Sequence, residues 1–293
     1  MRPAPVARLA LGTAQFGLHY GISNARGRVP PGEVAAILAD ARARGIDLLD
    51  TAAAYGDAEA VLGALPEARS FRVVTKTVRL AGHGVAGVVA EARGSLDRLG
   101  LRQADALLVH AAGDLLGAES DALWSALGGL RDEGLFARLG ISAYRADDPA
   151  ALARRFRPAV MQVPVSLLDQ RLVADGTLAR LAAEGVEVHA RSVFLQGLVF
   201  LEPEQLPPSL AGAGAHLAAC RARAGAAGVD LAAAALHYAL SRPEVARVVV
   251  GVTSLAEWRA LAEAAAAPAP DLDWPAFALD DPAILDPSAW PAP

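Results

Sequence analysis

The sequence predicts an α/β fold, a (β/α)8 TIM barrel, and three observations lead there. Short β-branched or Leu-rich runs alternate with Ala/Leu/Arg/Glu stretches about eight times, the pattern of a parallel sheet covered by helices. The alternation never changes type and no Pro/Gly/Ser-rich linker divides it, so residues 1–293 are read as one domain. Polar residues close several strand-like runs, at the end where a barrel gathers its chemistry. A doubly wound open sheet is the structural alternative, but no Gly-x-Gly-x-x-Gly follows the first strand.

The elements follow in order. A short N-terminal hairpin is expected near Ala7 to Ile22, with strand one including Leu9 to Leu11, and then a helix over Pro31 to Arg44 that opens on Pro31 and Gly32. Strand two is Ile46 to Leu49, its helix Ala58 to Leu65, strand three Arg72 to Thr75, and the amphipathic stretch Val85 to Leu99 comes next. Ala106 to Val109 is strand four, ending at His110; a helix over Glu119 to Glu133 leads to strand five, Ala137 to Ile141. Pro149 to Arg155 is a short helix before strand six, Ala159 to Gln162, and Val186 to Ala190 is strand seven. An irregular Pro-rich loop, helices over Ala211 to Ala226 and Leu231 to Leu240, strand eight at Arg247 to Val250 and a helix over Leu255 to Ala266 complete the barrel. Residues 268–293 form a Pro-rich tail in which Trp274 and Trp290 pack on the barrel or, less simply, cover a pocket.

Composition narrows the function classes. With 54% hydrophobic residues the chain can bury a large core. A formal net charge of −5 and scattered arginines give no basic face for phosphate backbones, so nucleic acid is not an expected partner. No apolar stretch approaches about 18 residues, no leader-like segment opens the chain, and a membrane is not expected; a cytoplasmic location is. Cys220, the sole cysteine, reads as a small buried hydrophobe. His83, His189, His216 and His237 have no metal-ligand spacing and are assigned structural roles, and no metal site is expected. Trp124, at helical spacing with Leu123 and Leu127, reads as core.

The chemistry sits at the strand ends. Asp50 and Tyr55 follow strand two, Lys76 follows strand three and His110 follows strand four; in a barrel, all four converge on one mouth. A tyrosine hydroxyl ionises only near pH 10, and a neighbouring cation favours its phenolate. Lys76 supplies that cation, an ionised Asp50 holds the ammonium, His110 donates to a carbonyl oxygen, and Tyr55 exchanges the proton. His110 alone would pass for a cap or surface residue. Joint placement favours the catalytic set. His19 and Tyr20, in the loop after strand one, are candidates for the substrate pocket.

These residues resemble the catalytic tetrad of the aldo-keto reductase superfamily, and the resemblance extends through the pattern Asp-x-Ala-x-x-Tyr-Gly-x-x-Glu, read from Asp50 to Glu59, to Leu11-Gly12-Thr13-Ala14 and Leu139-Gly140-Ile141-Ser142. It implies a barrel that transfers hydride between a nicotinamide cofactor and an aldehyde, ketone or sugar. The cofactor so implied is NADPH, with NADH the alternative. Gly12, Thr13 and Asp50 fall beside the implied cofactor, Ser142 and Gln162 match the pair that bonds the carboxamide, and Arg191 stands where the family often stacks an aromatic ring. Ala143 departs from the usual Asn. Gly251, Thr253 and Ser254 would receive the diphosphate and adenosine end, where backbone donors open a helix and suit an anion; Glu257 occupies a position at which NADPH-binding members place Lys or Arg, with Arg259 the nearest cation, which keeps NADH open as the alternative. A cofactor-binding regulatory barrel with little turnover, and a redox-neutral sugar epimerase or lyase, are the alternative functions.

Overall fold

The computed structural model describes residues 4–290; Met1-Arg2-Pro3 and the last three residues of the expected tail lie outside them. Eight parallel strands close a barrel in the order β1 to β8: β1 (Leu9–Gly12), β2 (Leu48–Asp50), β3 (Arg72–Lys76), β4 (Ala104–Val109), β5 (Phe136–Ser142), β6 (Val160–Pro164), β7 (Glu187–Arg191) and β8 (Val245–Gly251), with β8 returning to β1. The helices are α1 (Ala14–Gly17), α2 (Pro31–Ala43), α3 (Ala58–Ala64), α4 (Gly84–Leu99), α5 (Ser120–Asp132), α6 (Pro149–Phe156), α7 (Arg171–Ala174), α8 (Thr177–Ala183), α9 (Gly214–Ala226), α10 (Leu231–Ser241), α11 (Leu255–Ala266) and α12 (Pro282–Leu285). None described is long and apolar enough to cross a membrane.

Local chemistry explains several boundaries. Pro31 opens α2 at a position where a missing N–H costs nothing, and Gly100 ends α4 in the left-handed region at φ 64°. Asp148 and Ser254 cap α6 and α11 by accepting from the N–H three residues on. α10 is buried on nearly every side, which its run of Ala and Leu permits.

Three expectations are corrected. The N-terminal hairpin is absent: Val6–Arg8 is a 3-10 turn and Ala14–Gly17 a short helix, because both edges of β1 are taken by parallel partners β2 and β8 and no antiparallel partner has a place. Strands extend beyond the apolar runs to include Asp50, Lys76, Ser142 and Arg191, since ladder pairing such as Gly12 with Asp50 and Pro164 with Arg191 continues through polar residues. Two helices before β7, α7 and α8, were not anticipated, and Pro207 and Pro208 hold residues 208–213 in a 3-10 turn so that α9 begins only at Gly214.

Strand alternation sorts the core into two layers. Ala10, Leu48, Val74, Ala106, Leu108 and Val160 fill the lumen, while their neighbours, such as Leu49, Val73, Leu107 and Val163, face the helices in a continuous outer core. At the N-terminal end, Arg247, Asp47, Arg72, Asp105, Arg138 and Glu187 form an alternating chain of ion pairs. Trp124 packs on Phe156 with ring centroids 5.4 Å apart. The tail packs too: Trp274 meets Tyr238 edge-on at 5.8 Å, and Leu279 N–H donates to Leu168 O.

Candidate active site

The side chains that crown the lumen stand two residues beyond those that fill it. Asp50 follows Leu48, Lys76 follows Val74, His110 follows Leu108 and Gln162 follows Val160, so the period of two that packs the inner core also points these four polar groups at the C-terminal mouth. Tyr55 comes by another route. Its turn lies between β2 and α3, where Tyr55 N–H donates to Ala52 O and Tyr55 O accepts from Ala58 N–H. Helix α1 presses against that turn so closely that a Cβ on Gly17 would collide with Tyr55 O, and one on Gly56, at φ 56°, would stand 2.6 Å from Gly17 O. Both positions require glycine.

The four groups meet. Lys76 Nζ donates to Asp50 Oδ2 at 2.7 Å, to Thr51 O at 2.8 Å and to Tyr55 Oη at 3.4 Å. Gln162 Nε2 donates to the other carboxylate oxygen, Asp50 Oδ1, at 2.6 Å, and the Thr13 hydroxyl donates to Asp50 O. The Tyr55 and His110 rings sit edge to face, 5.7 Å between centroids, and the Lys76 ammonium lies 4.9 Å from the centre of the Tyr55 ring. Below them Glu59, the last residue of the sequence pattern, accepts from Thr75 Oγ1 at 2.6 Å and from Arg98 Nε at 2.9 Å, tying α3 to β3 and α4.

Charge states follow from the surroundings. Burial works against the Lys76 cation, but the charge of Asp50, with Tyr55 and the hydrogen bonds to both, outweighs it and holds the lysine above its ordinary range. For His110, burial and then the Lys76 charge push the pKa down to about 3, so the imidazole is neutral at physiological pH. Burial, with the nearby phenols of Tyr55 and Tyr144, raises Tyr20 well above the usual phenol range and keeps its proton on.

All four groups open onto a cavity of about 810 Å³, large for a small-molecule or cofactor site. Of the residues singled out by sequence, Gly12, Thr13, Ser142, Gln162 and Arg191 line it at the strand ends, Tyr20 lines it from the first loop, and Gly251, Thr253 and Glu257 line its far arm. Two expected residues do not. His19 turns to Asn24 O, 2.6 Å from Nε2, and Ser254 is spent as the cap of α11, accepting from Glu257 N–H at 3.1 Å. At the start of α11, Leu255 N–H donates to Glu33 Oε1 at 2.7 Å, and just before the helix Thr253 N–H donates to Glu257 Oε2 at 2.6 Å.

Gln15, Tyr144 and the contacts of Arg191 escaped the sequence reading. The Gln15 carboxamide lines the cavity with Oε1 buried and unpartnered, and Arg191 Nε is likewise buried without a partner. The Arg191 guanidinium stacks on Tyr144, 4.0 Å to the ring centroid, and reaches Ala143 O at 3.4 Å. Ser192, Leu195 and Gln196 hold positive φ, and Gln196 O accepts from Ile22 N–H at 2.8 Å, joining the loops after β7 and β1 beside the cavity. Nothing local in the sequence marked Gln15.

Comparison with known proteins follows the same line. The model of the aldo/keto reductase family matches residues 8–278. An aldo-keto reductase of Mycolicibacterium smegmatis is 32% identical over 137 residues, 45% of this chain and 48% of that protein. One from Mycobacterium ulcerans is 40% identical over 108 residues, 34% of this chain and 36% of its own length. The chain thus spans half or less of the length of these relatives. Among solved structures, the holo form of an aldo-keto reductase from Bacillus halodurans superposes with a TM-score of 0.70 at 22% identity, covering 89% of this chain and 87% of that one.

Proposed function

Because the chain belongs to the aldo/keto reductase family, we propose that it is an oxidoreductase that interconverts a small-molecule aldehyde, ketone or sugar carbonyl with the corresponding alcohol, using a nicotinamide dinucleotide and Tyr55 as the proton donor and acceptor. One observation carries this: Lys76 Nζ bridges Asp50 Oδ2 at 2.7 Å and Tyr55 Oη at 3.4 Å, with His110 against the Tyr55 ring, all lining one cavity.

The residues fit the dinucleotide. Two buried polar atoms of cavity-lining residues, Gln15 Oε1 and Arg191 Nε, lack protein partners, as groups that meet a polar ligand do. Gly251 makes room for the Gln15 carboxamide at the cavity, since a Cβ there would stand 2.5 Å from Gln15 Oε1. Gly12, Thr13, Ser142, Gln162 and Arg191 would hold the nicotinamide portion, and Gly251 and Thr253 the remainder. When bound in reduced form the dinucleotide supplies the hydride that adds to the carbonyl carbon.

The chain's own residues handle the oxygen. Neutral His110 donates a ring N–H to the carbonyl oxygen, fixing its direction and polarising it. Tyr55 then transfers its hydroxyl proton to that oxygen as negative charge develops. The Lys76 ammonium stabilises the phenolate left behind, and Asp50, itself held by Gln162, keeps the ammonium within reach. Solvent returns the proton to Tyr55. Alcohol oxidation runs the same transfers backwards.

A panel of aldehydes, ketones and sugars, each offered with NADH and with NADPH while nicotinamide absorbance is followed, tests the reading. Carbonyl-dependent loss of reduced nicotinamide is expected with at least one panel member. Absence of dinucleotide binding would remove the proposal, and binding without consumption across the panel would point to the regulatory barrel instead.

A further inference from the structure

The cavity's lining divides by element into two unlike arms. One holds the tetrad. The other comprises Gly251 at the end of β8, Asp230 and Ala233 at the start of α10, and Glu257, Ala260 and Ala264 on α11. Resting on the nicotinamide-dependent reaction proposed above, we propose that Glu257 selects the dinucleotide that lacks a phosphate on its adenosine ribose, so that the protein works with NADH rather than NADPH.

If the reactive end of a dinucleotide lies against Tyr55, its adenosine must occupy the second arm, and a flat purine suits the alanines of that lining. The charge of this arm decides what the ribose can carry. Glu257 accepts from Thr253 N–H at 2.6 Å and from Thr253 Oγ1 at 2.7 Å, and Glu33 accepts from Leu255 N–H at 2.7 Å. Helix starts elsewhere attract phosphate, but here the Leu255 N–H already serves Glu33, the Glu257 N–H the Ser254 hydroxyl, and the Thr253 N–H just before the helix serves Glu257. A ribose phosphate placed there would have to displace Glu257, on a lining that also carries Asp230. A ribose diol meets the opposite situation, because hydroxyls donate to carboxylate oxygens and this is how unphosphorylated dinucleotides are commonly held.

Nor does a cation compensate. The cavity-lining cations are Arg26, Lys76 and Arg191; none lies on β8, α10 or α11. Arg259, one turn from the arm on α11, is drawn away to Asp40 at 2.8 Å, an acid that also binds Arg44 and the Trp258 indole.

Dissociation constants of NADH and NADPH, measured by calorimetric titration of the intact protein and of Glu257→Gln and Glu257→Arg, test this. The wild type should bind NADH about tenfold or more tightly than NADPH, a preference that shrinks as salt rises because it is electrostatic. Glu257→Gln should bring the ratio towards one, and Glu257→Arg should invert it. Melting curves check that the variants fold, and the wild-type ratio needs no variant. Equal or tighter binding of NADPH by the wild type would overturn the inference while leaving the proposed reaction intact, as would an unchanged ratio in a folded Glu257→Gln. Failure of both dinucleotides to bind would remove the reaction and this inference together.

Discussion

Lys76 carries its charge with 1% of its side chain exposed, and three oxygens make that tolerable: Asp50 Oδ2, Thr51 O and Tyr55 Oη. An ammonium buried without them would shed its proton. His110, a few ångströms away, meets the reverse condition. Burial and the Lys76 charge move its pKa from 6.5 to about 3. A folded-state value below the unfolded one means that the unfolded chain binds the extra proton first; this histidine's contribution to stability is complete above pH 6.5 and is lost as pH falls towards 3. The His110 ring resonances should accordingly stay flat between about pH 5 and 8, as read by proton–carbon NMR. A titration centred near 6.5 would mean the imidazole can charge, and the assigned role as neutral donor would fail. The tetrad was legible because each member closes or follows a strand, a one-dimensional signal. Gln15 was not so readable, nor were the contacts of Glu257: an unpartnered oxygen and a carboxylate already held by Thr253 depend on neighbours that only folding supplies.

Elements position these groups by backbone contact. Gly140, in mid-β5, has no room for a side chain, since a Cβ there would strike Leu108 Cδ2 and stand 2.5 Å from Val160 O. Leu108 belongs to the lumen layer directly beneath His110, so the penalty reaches the site. Gly140→Ala should cost about 1–3 kcal/mol in urea unfolding through overpacking, with a smaller or absent loss contradicting the packing described. The eight strands and their long helices could be read from periodicity, and even the polar strand ends lay within a residue or two. The N-terminal hairpin could not be sustained, because whether β1 pairs with its own continuation or with β2 and β8 is decided by barrel closure. Helices α7 and α8 are four and seven residues long, too short for a helical period to stand out. The contact between Gly17 and the Tyr55 turn joins positions nearly forty residues apart, and neither glycine advertises the other.

At the scale of the molecule, the barrel divides its labour along the axis. Ion pairs from Arg247 to Glu187 close the N-terminal end, small and medium apolar side chains fill the middle, and the polar crown faces the cavity. The hydrogen bond from His189, with that from Arg138, outweighs the opposing effect of burial and leaves Glu187 with a pKa of about 2, so the charge on this floor persists through ordinary acid conditions. Such a division separates stability from chemistry. Residues from β2, the turn after it, β3 and β4 are thereby made into one device, although as many as sixty residues of chain lie between Asp50 and His110. Groups that act as a unit lose activity non-additively. The decisive measurement is kcat/KM for Tyr55→Phe and for the double variant Tyr55→Phe with Lys76→Met, on a carbonyl substrate found in the panel. Tyr55→Phe alone should lower it by about 10²- to 10⁴-fold while dinucleotide affinity stays near the wild-type value, and removing Lys76 as well should add less than about tenfold. Wild-type turnover by Tyr55→Phe, or two losses that simply multiply, would contradict a single proton-delivery device built across these strands.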